Sequence, residues 1–354
     1  MQISEILKEA VQRGASDIFL IAGRPATFKI LGRLVPVTRQ LLAADVLREW
    51  LKEIYVMAER DFEPLTKEGD DDFSFSHSGI SRYRVSAYRQ RGSLACVIRV
   101  VSFELPNPAT IGIPEAVMRL SERTKGLILV TGPAGSGKST TLACFIDRIN
   151  HRRESHIITL EDPIEYLHRH DRSIVSQREV FTDTEDYLHG LRASLRQAPD
   201  VILLGEMRDL DTMQVAMTAA ETGHLVFSTL HTVGAANTIN RIIDVFPPNQ
   251  QHQIRTQLSM VLQAVVSQQL VPSLTQGVVP AFEVMTTNNA VRTMIRENKV
   301  HQVDSVIQSS RHEGMISMDD SLLELYREGK IDARNAVLYS SNPEQMGKKV
   351  NTTE

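Results

Sequence analysis

The chain contains Gly132-Pro133-Ala134-Gly135-Ser136-Gly137-Lys138-Ser139, which matches the phosphate-binding pattern G-x-x-x-x-G-K-[ST] at every defined position. Glycines let the backbone turn so tightly that its N–H groups point at phosphate oxygens. Residues 126–131 read as a buried strand and residues 139–148 as a helix, which is the context that such a loop requires. The stretch, together with Thr140, therefore predicts a nucleoside triphosphate site. Lys138 would reach the β- and γ-phosphates and Ser139 would ligate Mg²⁺.

Composition narrows the class of protein. A chain of 354 residues favours two domains, and a net charge of −4 without a basic, aromatic-rich stripe argues against a nucleic-acid partner. The two cysteines, Cys96 and Cys144, favour a reducing compartment and cannot form a four-thiolate zinc site. No signal peptide and no apolar run of ~18 residues is present. We expect a cytoplasmic protein that reaches the inner face of a membrane only through a partner.

The N-terminal part, residues 1–105, is predicted to mix helices and strands. Residues 81–101 read as a hairpin with alternating faces. Tyr83, Val85 and Ala87 lie on one face, and Arg82, Arg84 and, from the second strand, Arg99 belong to the polar side. This arginine face is either a solvated surface or is aimed at a phosphate in a neighbouring subunit. Residues 68–72 are predicted to form a solvated acidic turn, and residues 106–115 a proline-rich linker.

Acidic residues follow two further strands of the predicted core. Residues 156–160 form the first strand, and Glu161, Asp162 and Glu165 come directly after it. A carboxylate at this edge can orient and deprotonate the water that attacks the γ-phosphate, and the alternative is a group of helix-capping acids. Residues 200–206 form the second strand, and its last residue, Glu206, is predicted to hold Mg²⁺ through the ion's water shell.

Two histidines, His224 and His231, bracket a further apolar strand. We expect both to lie near the γ-phosphate edge and to act as sensors, the alternative being a structural role. Neither has the neighbouring Cys or His residues that a metal site needs.

Several helices are also predicted. A capping box at residues 182–185 would open a helix that ends at Gln197, and residues 250–270 would form a glutamine-rich helix. Residues 290–297 would form a helix that buries Val291, Met294 and Ile295 and carries Arg292 and Arg296 on one face. Residues 341–354 lack an apolar pattern, which predicts a disordered tail.

Four motifs stand in one order along the chain: the phosphate loop, residues 158–166, residues 204–209 and residues 221–231. Together they resemble the Walker A, Asp box, Walker B and His box of the secretion ATPase superfamily of type II secretion and type IV pili. The resemblance covers nearly the whole chain.

Residues 290–297 point to one branch of that superfamily. They are similar to the Ala-Ile-Arg-Asn-Leu-Ile-Arg-Glu motif of the type IV pilus retraction ATPases (the PilT type) and depart from it at Val291, Thr293 and Met294. The tetracysteine insertion that is usual in secretion and pilus-assembly ATPases is not in this sequence. An accessory, PilU-type ATPase and a type II secretion or pilus-assembly ATPase are the alternatives, followed by a nucleic-acid translocase and a ring that binds ATP without turnover.

The resemblance implies an α/β fold with a PAS-like α+β domain at 1–105, a linker at 106–115 and a RecA-like ATPase domain with a helical C-terminal part at 116–340. It implies a homo-hexamer that uses ATP and Mg²⁺, with Glu165 preferred to Glu161 as the base and arginines acting between domains or subunits. The ring would turn an inner-membrane platform protein of the pilus, with a paralogous retraction ATPase as a further partner.

Overall fold

The computed structural model describes residues 2–77, 79–101, 105–275 and 277–351. The chain divides into two compact units: Met1–Glu104 with Pro163–Leu167, and Leu105–Asp162 with His168–Glu354. None of the helices in the described ranges combines the length and the hydropathy needed to span a lipid bilayer. The whole of the predicted linker, residues 106–115, belongs to the second unit, where Ile113 is buried.

The first unit is built on an antiparallel sheet. Its elements are α1 (Ile3–Gln12), β1 (Asp17–Ile21), β2 (Thr27–Ile30), β3 (Arg33–Pro36), α2 (Ala44–Met57), α3 (Glu63–Lys67), β4 (Asp70–His77), β5 (Ser81–Gln90) and β6 (Ser93–Val101). The six strands are ordered β3-β2-β1-β6-β5-β4. Alternation along the strands sends Ile18, Leu20 and Val85 into one core with Leu7 of α1 and Leu51 of α2.

The predicted hairpin is confirmed as β5 and β6. Tyr83, Val85 and Ala87 are buried, whereas Arg84 is exposed. Arg84 lies directly opposite Arg99 in the antiparallel register.

The predicted acidic turn at residues 68–72 is wrong at its C-terminal end, because β4 begins at Asp70. Asp71 is only 8% exposed. Its carboxylate accepts two hydrogen bonds from Arg60, at 2.9 and 2.6 Å, and one from the Tyr55 hydroxyl at 2.9 Å. A carboxylate can be buried when it is paired in this way. The sequence shows only the charge of Asp71 and not its partners, so it predicted a solvent-exposed residue.

The second unit alternates strands and helices. Its elements are α4 (Glu115–Met118), β7 (Gly126–Thr131), α5 (Lys138–Arg152), β8 (His156–Glu161), β9 (Ile174–Glu179), α6 (Tyr187–Ser194), β10 (Val201–Leu204), α7 (Leu210–Glu221), β11 (Leu225–Leu230), α8 (Ala235–Asp244), α9 (Gln251–Val261), β12 (Leu262–Pro272), β13 (Val278–Thr286), α10 (Asn289–Arg296), α11 (Val303–Ser309), α12 (Met318–Arg327), α13 (Ala333–Tyr339) and α14 (Pro343–Asn351). The sheet has seven strands in the order β13-β12-β7-β11-β10-β8-β9. Neighbours from β12 to β9 are parallel, and β13 joins β12 antiparallel.

Apolar side chains cover both faces of this sheet. The central strand β7 is buried along its whole length, which is why it reads as a continuous apolar run rather than an alternating one. Because these strands are parallel, the loops after β7, β8, β10 and β11 all leave from one edge of the sheet. That edge holds the phosphate loop.

The predicted helix over residues 250–270 is wrong in its second half. The helix α9 ends at Val261, and β12 follows without a break. Between β7 and β13 the segment gains main-chain pairing on both sides and buries Val265 and Val266. Helix propensity is a weak preference that such tertiary pairing overrides.

The predicted capping box at residues 182–185 is also wrong. Asp186 caps α6 instead, since its side chain accepts a hydrogen bond from the His189 N–H. Asp183 is used elsewhere, where its carboxylate accepts from the Glu179 N–H at 2.7 Å. The helix therefore starts later than the pattern indicated.

The predicted disordered tail, residues 341–354, is wrong over most of its length. Residues 343–351 form α14, and its residues Met346 and Val350 are buried in a cluster with Leu322 of α12. Two apolar residues four positions apart are enough to fix a short helix on a preformed surface. Residues 352–354 lie outside the described part of the chain.

Candidate nucleotide site

The phosphate loop joins β7 to α5, as the sequence predicted. Two of its glycines have backbone angles that side chains disfavour, with φ of 139° at Gly132 and 87° at Gly137. A Cβ at Gly132 would also meet the main-chain carbonyl of Gln268. Glycine is therefore required where the loop leaves the strand and where it enters the helix. Pro133, Ala134 and Gly135 form the exposed tip of the loop.

The polar groups of the loop fit a phosphate. The buried Lys138 ammonium donates to the carbonyls of Gly132 and Pro133, at 2.9 and 3.0 Å. Ser136 is 3% exposed, and its hydroxyl has no hydrogen-bond partner in the described part of the chain. Ser139 and Thr140 lie half-buried in the first turn of α5. A buried cation, an unpartnered hydroxyl and a helix N-terminus together suit a bound anion.

Glu206 lies at the same edge, just after β10. Its side chain is 12% exposed and forms ion pairs with Arg208 and with His231, whose Nε2 is 3.5 Å from the carboxylate. The strand β10 is separated from β7 by β11 alone. In the described residues, no group of three or more His, Cys, Asp or Glu is arranged to hold a metal. A Mg²⁺ ion held by Ser139 and Glu206, as the sequence predicts, would need phosphate oxygens and water as further ligands.

The two histidines are separated by the strand between them. His231 follows β11 and reaches Glu206, whereas His224 precedes β11 and its Nδ1 lies 2.9 Å from the Ala219 carbonyl at the end of α7. Six strand residues span about 20 Å. The prediction that both histidines lie at the phosphate edge is therefore wrong for His224, because opposite ends of one parallel strand lie at opposite edges.

The acidic residues after β8 fall into different surroundings. The Glu161 carboxylate accepts from the buried Thr159 hydroxyl at 2.6 Å and from the Gln177 amide at 3.3 Å. Asp162 is exposed. Glu165 is exposed and lies in Pro163–Leu167, which belongs to the first unit. The choice between Glu165 and Glu161 as base stays a prediction.

Sequence reasoning missed Tyr187, the first residue of α6. A Cβ at Gly205 would lie 2.7 Å from the Tyr187 hydroxyl. Burial, followed by the negative charges of Glu206, Asp162 and Glu161, raises the pKa of this hydroxyl, so it stays protonated beside the carboxylates. No sequence pattern marks it, because its neighbours come from two other segments, one after β8 and one after β10.

A second missed feature is a cavity of about 620 Å³ beside the loop. Residues 109–113 form one wall and β12 and β13 another, with Gly137 and Thr140 at one end. Apolar side chains such as Ile111, Leu270 and Val279 alternate in its lining with polar ones such as Thr140 and Gln268. A nucleobase fits such a lining, and the position next to the phosphate loop suits one.

The three arginines of the hairpin that were predicted to act on a phosphate differ in their contacts. Arg82 donates to the Ser76 hydroxyl at 3.0 Å, and Arg99 donates to Asp17 at 3.2 Å while its side chain stays 66% exposed. Arg84 is exposed, and among the described residues none forms a hydrogen bond or ion pair with its guanidinium.

Comparisons with known proteins agree with this geometry. Residues 1–332 match the family model described as "Type II/IV secretion system protein". The chain is 42% identical to the type IV pilus retraction ATPase PilT of Pseudomonas aeruginosa over 97% of this chain and 99% of the relative. It is 37% identical to the type IV pilus ATPase PilU of the same organism, over 97% and 89% of the two chains.

A solved structure is similar along the same length. The crystal structure of the pilus retraction motor PilT with bound ADP is 46% identical, superposes with a TM-score of 0.87 and covers 98% of each chain. It has the same mixed α/β architecture. On its sequence, its fold and its phosphate loop, the chain belongs to the type II/IV secretion system protein family.

Proposed function

We propose that this chain is an ATP-hydrolysing motor that powers the retraction of type IV pili. The observation that carries the proposal is the phosphate loop, in which the buried Ser136 hydroxyl lacks a partner in the described residues and Lys138, the first residue of α5, donates to carbonyls of the loop. The near-complete coverage of a relative named as a retraction ATPase supports the choice of this motor over other ATPases.

Each loop residue has a separate role in this proposal. Main-chain N–H groups of the loop and the N-terminus of α5 bind the phosphates, and Lys138 exchanges its two carbonyl partners for phosphate oxygens. Ser139 and Glu206 would hold Mg²⁺, which neutralises charge on the β- and γ-phosphates. Glu161 or Glu165 orients the attacking water and accepts its proton. His231 contacts Glu206 and so links the state of the site to the loop before α8.

The finer architecture is proposed on the resemblance of the motifs. The first unit is PAS-like, the second is RecA-like with α10–α14 as its helical part, and six copies form a ring. The arginine face of one subunit serves the phosphates of a neighbour. The ring acts in the cytoplasm on an inner-membrane platform protein, and a paralogous ATPase works beside it.

Phosphate release from ATP by the purified full-length chain, with and without DNA, tests the chemistry. We expect turnover that DNA does not stimulate. Stimulation by DNA would favour a translocase instead. Twitching of a retraction-deficient strain that produces the chain tests the biological role. Rescue without any paralogue supports the retraction motor, and rescue only beside a paralogue favours the accessory, PilU-type role.

A further inference from the structure

Gln268 of β12 contacts both ends of the phosphate loop. It is 3% exposed, and its strand pairs with β7 so that Ser267 is opposite Thr131, the residue before the loop. Its main-chain carbonyl lies against Gly132, and its Nε2 would be 2.8 Å from a Cβ at Gly137. The glutamine is therefore packed against the loop and not merely near it.

One side-chain contact orients the Gln268 carboxamide. The buried Thr141 hydroxyl, in the first turn of α5, donates to Gln268 Oε1 at 2.8 Å. Because Oε1 is occupied by this bond, the NH₂ group is directed away from Thr141 and towards Gly137. A threonine hydroxyl on a rigid helix is well suited to fix one of the two amide orientations.

The NH₂ group of Gln268 has no acceptor of its own. Among the described ranges, Nε2 donates no hydrogen bond, whereas Oε1 accepts one from Thr141. The side chain lines the cavity of about 620 Å³ at the end where Gly137 and Thr140 border it. The NH₂ group therefore has a donor that a ligand bound in the cavity can pair with.

We propose that Gln268 donates a hydrogen bond from Nε2 to an oxygen of the ribose 5′-phosphate part of the bound nucleotide. This assignment rests on the proposed function, because it needs the loop to hold phosphates and the cavity beside it to hold the base. The ribose-phosphate then lies at the junction of loop and cavity, where Nε2 is directed. Gln268 also connects the bound nucleotide to α5, because Thr141 of that helix donates to the Oε1 atom of the same carboxamide.

Two substitutions of Gln268 remove the donor in different ways. Gln268→Glu keeps the shape and an oxygen that accepts from Thr141, but it replaces the donor by a charged acceptor. Gln268→Met keeps most of the volume without any polar group. We expect both to raise the Kd for ADP at least tenfold, which corresponds to about 1.4 kcal/mol.

Matched controls separate the hydrogen bond from charge and from packing. Gln269→Glu adds the same charge on the other face of β12, where Gln269 Nε2 donates to the Tyr339 carbonyl. It should leave the Kd for ADP within about twofold. Thr141→Val removes the orienting hydroxyl and keeps the donor, so we expect a smaller, several-fold loss.

The Kd of the full-length chain is measured for ADP, adenosine and pyrophosphate, beside the Tm without nucleotide. A loss with ADP and pyrophosphate but not adenosine assigns the acceptor to a phosphate, and a loss with ADP and adenosine assigns it to the ribose. Unchanged ADP binding in both Gln268 variants overturns the inference, as does an equal loss in Thr141→Val, which would mean that Gln268 only supports the loop. A wild-type chain that does not bind ADP would instead overturn the proposed function.

Discussion

The phosphate loop of the second unit and the arginine hairpin of the first unit differ in the burial and the hydrogen bonding of their cationic side chains. Lys138 is 9% exposed and held by carbonyls of its own loop, next to a hydroxyl that lacks a partner. Arg84 is exposed on a strand whose opposite face is core. The loop is therefore organised for a ligand by its own fold, whereas Arg84 needs a partner that its own unit does not provide. The contacts of the two cations therefore distinguish a ligand site that is already formed, the phosphate loop, from a residue that could complete a site elsewhere, Arg84.

The largest expected effect concerns Lys138 of the phosphate loop. Lys138→Ala should abolish ATP turnover and keep the fold, since it removes charge stabilisation of the phosphates and leaves α5 in place. Phosphate release and the Tm are measured beside Lys125→Ala, an exposed lysine outside the loop. Normal turnover in Lys138→Ala would break the assignment of the loop.

Substitutions of the hairpin arginines test whether Arg84 acts on a nucleotide outside its own unit. Arg84→Ala should lower kcat by about 10³–10⁵ with nucleotide binding retained, as loss of an arginine finger does. Arg99→Ala should cost less, because Arg99 is already shared with Asp17. Mixing Arg84→Ala with Lys138→Ala subunits should restore some turnover if Arg84 acts on a neighbour. No recovery at any ratio would favour action within one subunit, and an unchanged kcat would make the hairpin a solvated surface.

The two glutamates after β8 belong to different units: Glu161 to the second and Glu165 to the first. Their variants therefore test which unit supplies the base. Glu165→Ala should lower kcat by about 10²–10⁴ and spare nucleotide binding, as the loss of a general base does. Glu161→Gln should have a smaller effect, because Thr159 and Gln177 already occupy its carboxylate. Single-turnover rates of both variants decide the order. A larger loss in the Glu161 variant would make Glu161 the base.

The smallest expected effect on ATPase activity concerns α10. The structure separates the two arginines that the sequence placed on one face. Arg292 donates to the carbonyls of Ser259 and Met260 at the end of α9. Arg296 is exposed, and within the described residues it donates a hydrogen bond only to the Thr293 hydroxyl. Arg292→Ala should lower stability by about 1 kcal/mol and the Tm by a few degrees. Arg296→Ala should leave the Tm and turnover unchanged and yet stop pilus retraction.

Turnover, Tm and twitching should be measured on both single variants. Normal twitching in Arg296→Ala would make that side of α10 an ordinary solvated surface. An equal loss of Tm in both variants would contradict the separation of the two arginines. Of the three apolar residues predicted to be buried in this helix, Val291 and Ile295 are fully buried and Met294 is partly buried.

Errors in the sequence predictions fall where a residue's neighbours come from distant parts of the chain. Residues 262–270 read as helix because their glutamines and apolar residues suit one, and only pairing with β7 and β13 makes them a strand. Asp71 reads as solvated until Arg60 and Tyr55 are placed beside it. His224 and His231 were both predicted to lie at the phosphate edge because they bracket one strand. The direction of that strand in the sheet puts only His231 at this edge.

By itself, the sequence determined the phosphate loop, the strand and helix that flank it, the alternating hairpin and the order of the four motifs. Each single motif and each strand of the hairpin depends on about ten consecutive residues, where glycine, side-chain size and periodicity act directly. Only the tertiary structure decided which groups meet at the site. Gln268 is 127 residues from the Thr141 that orients it, and Tyr187 reaches its carboxylates from a separate helix. Such contacts are made by packing the sheet, and no local pattern encodes them.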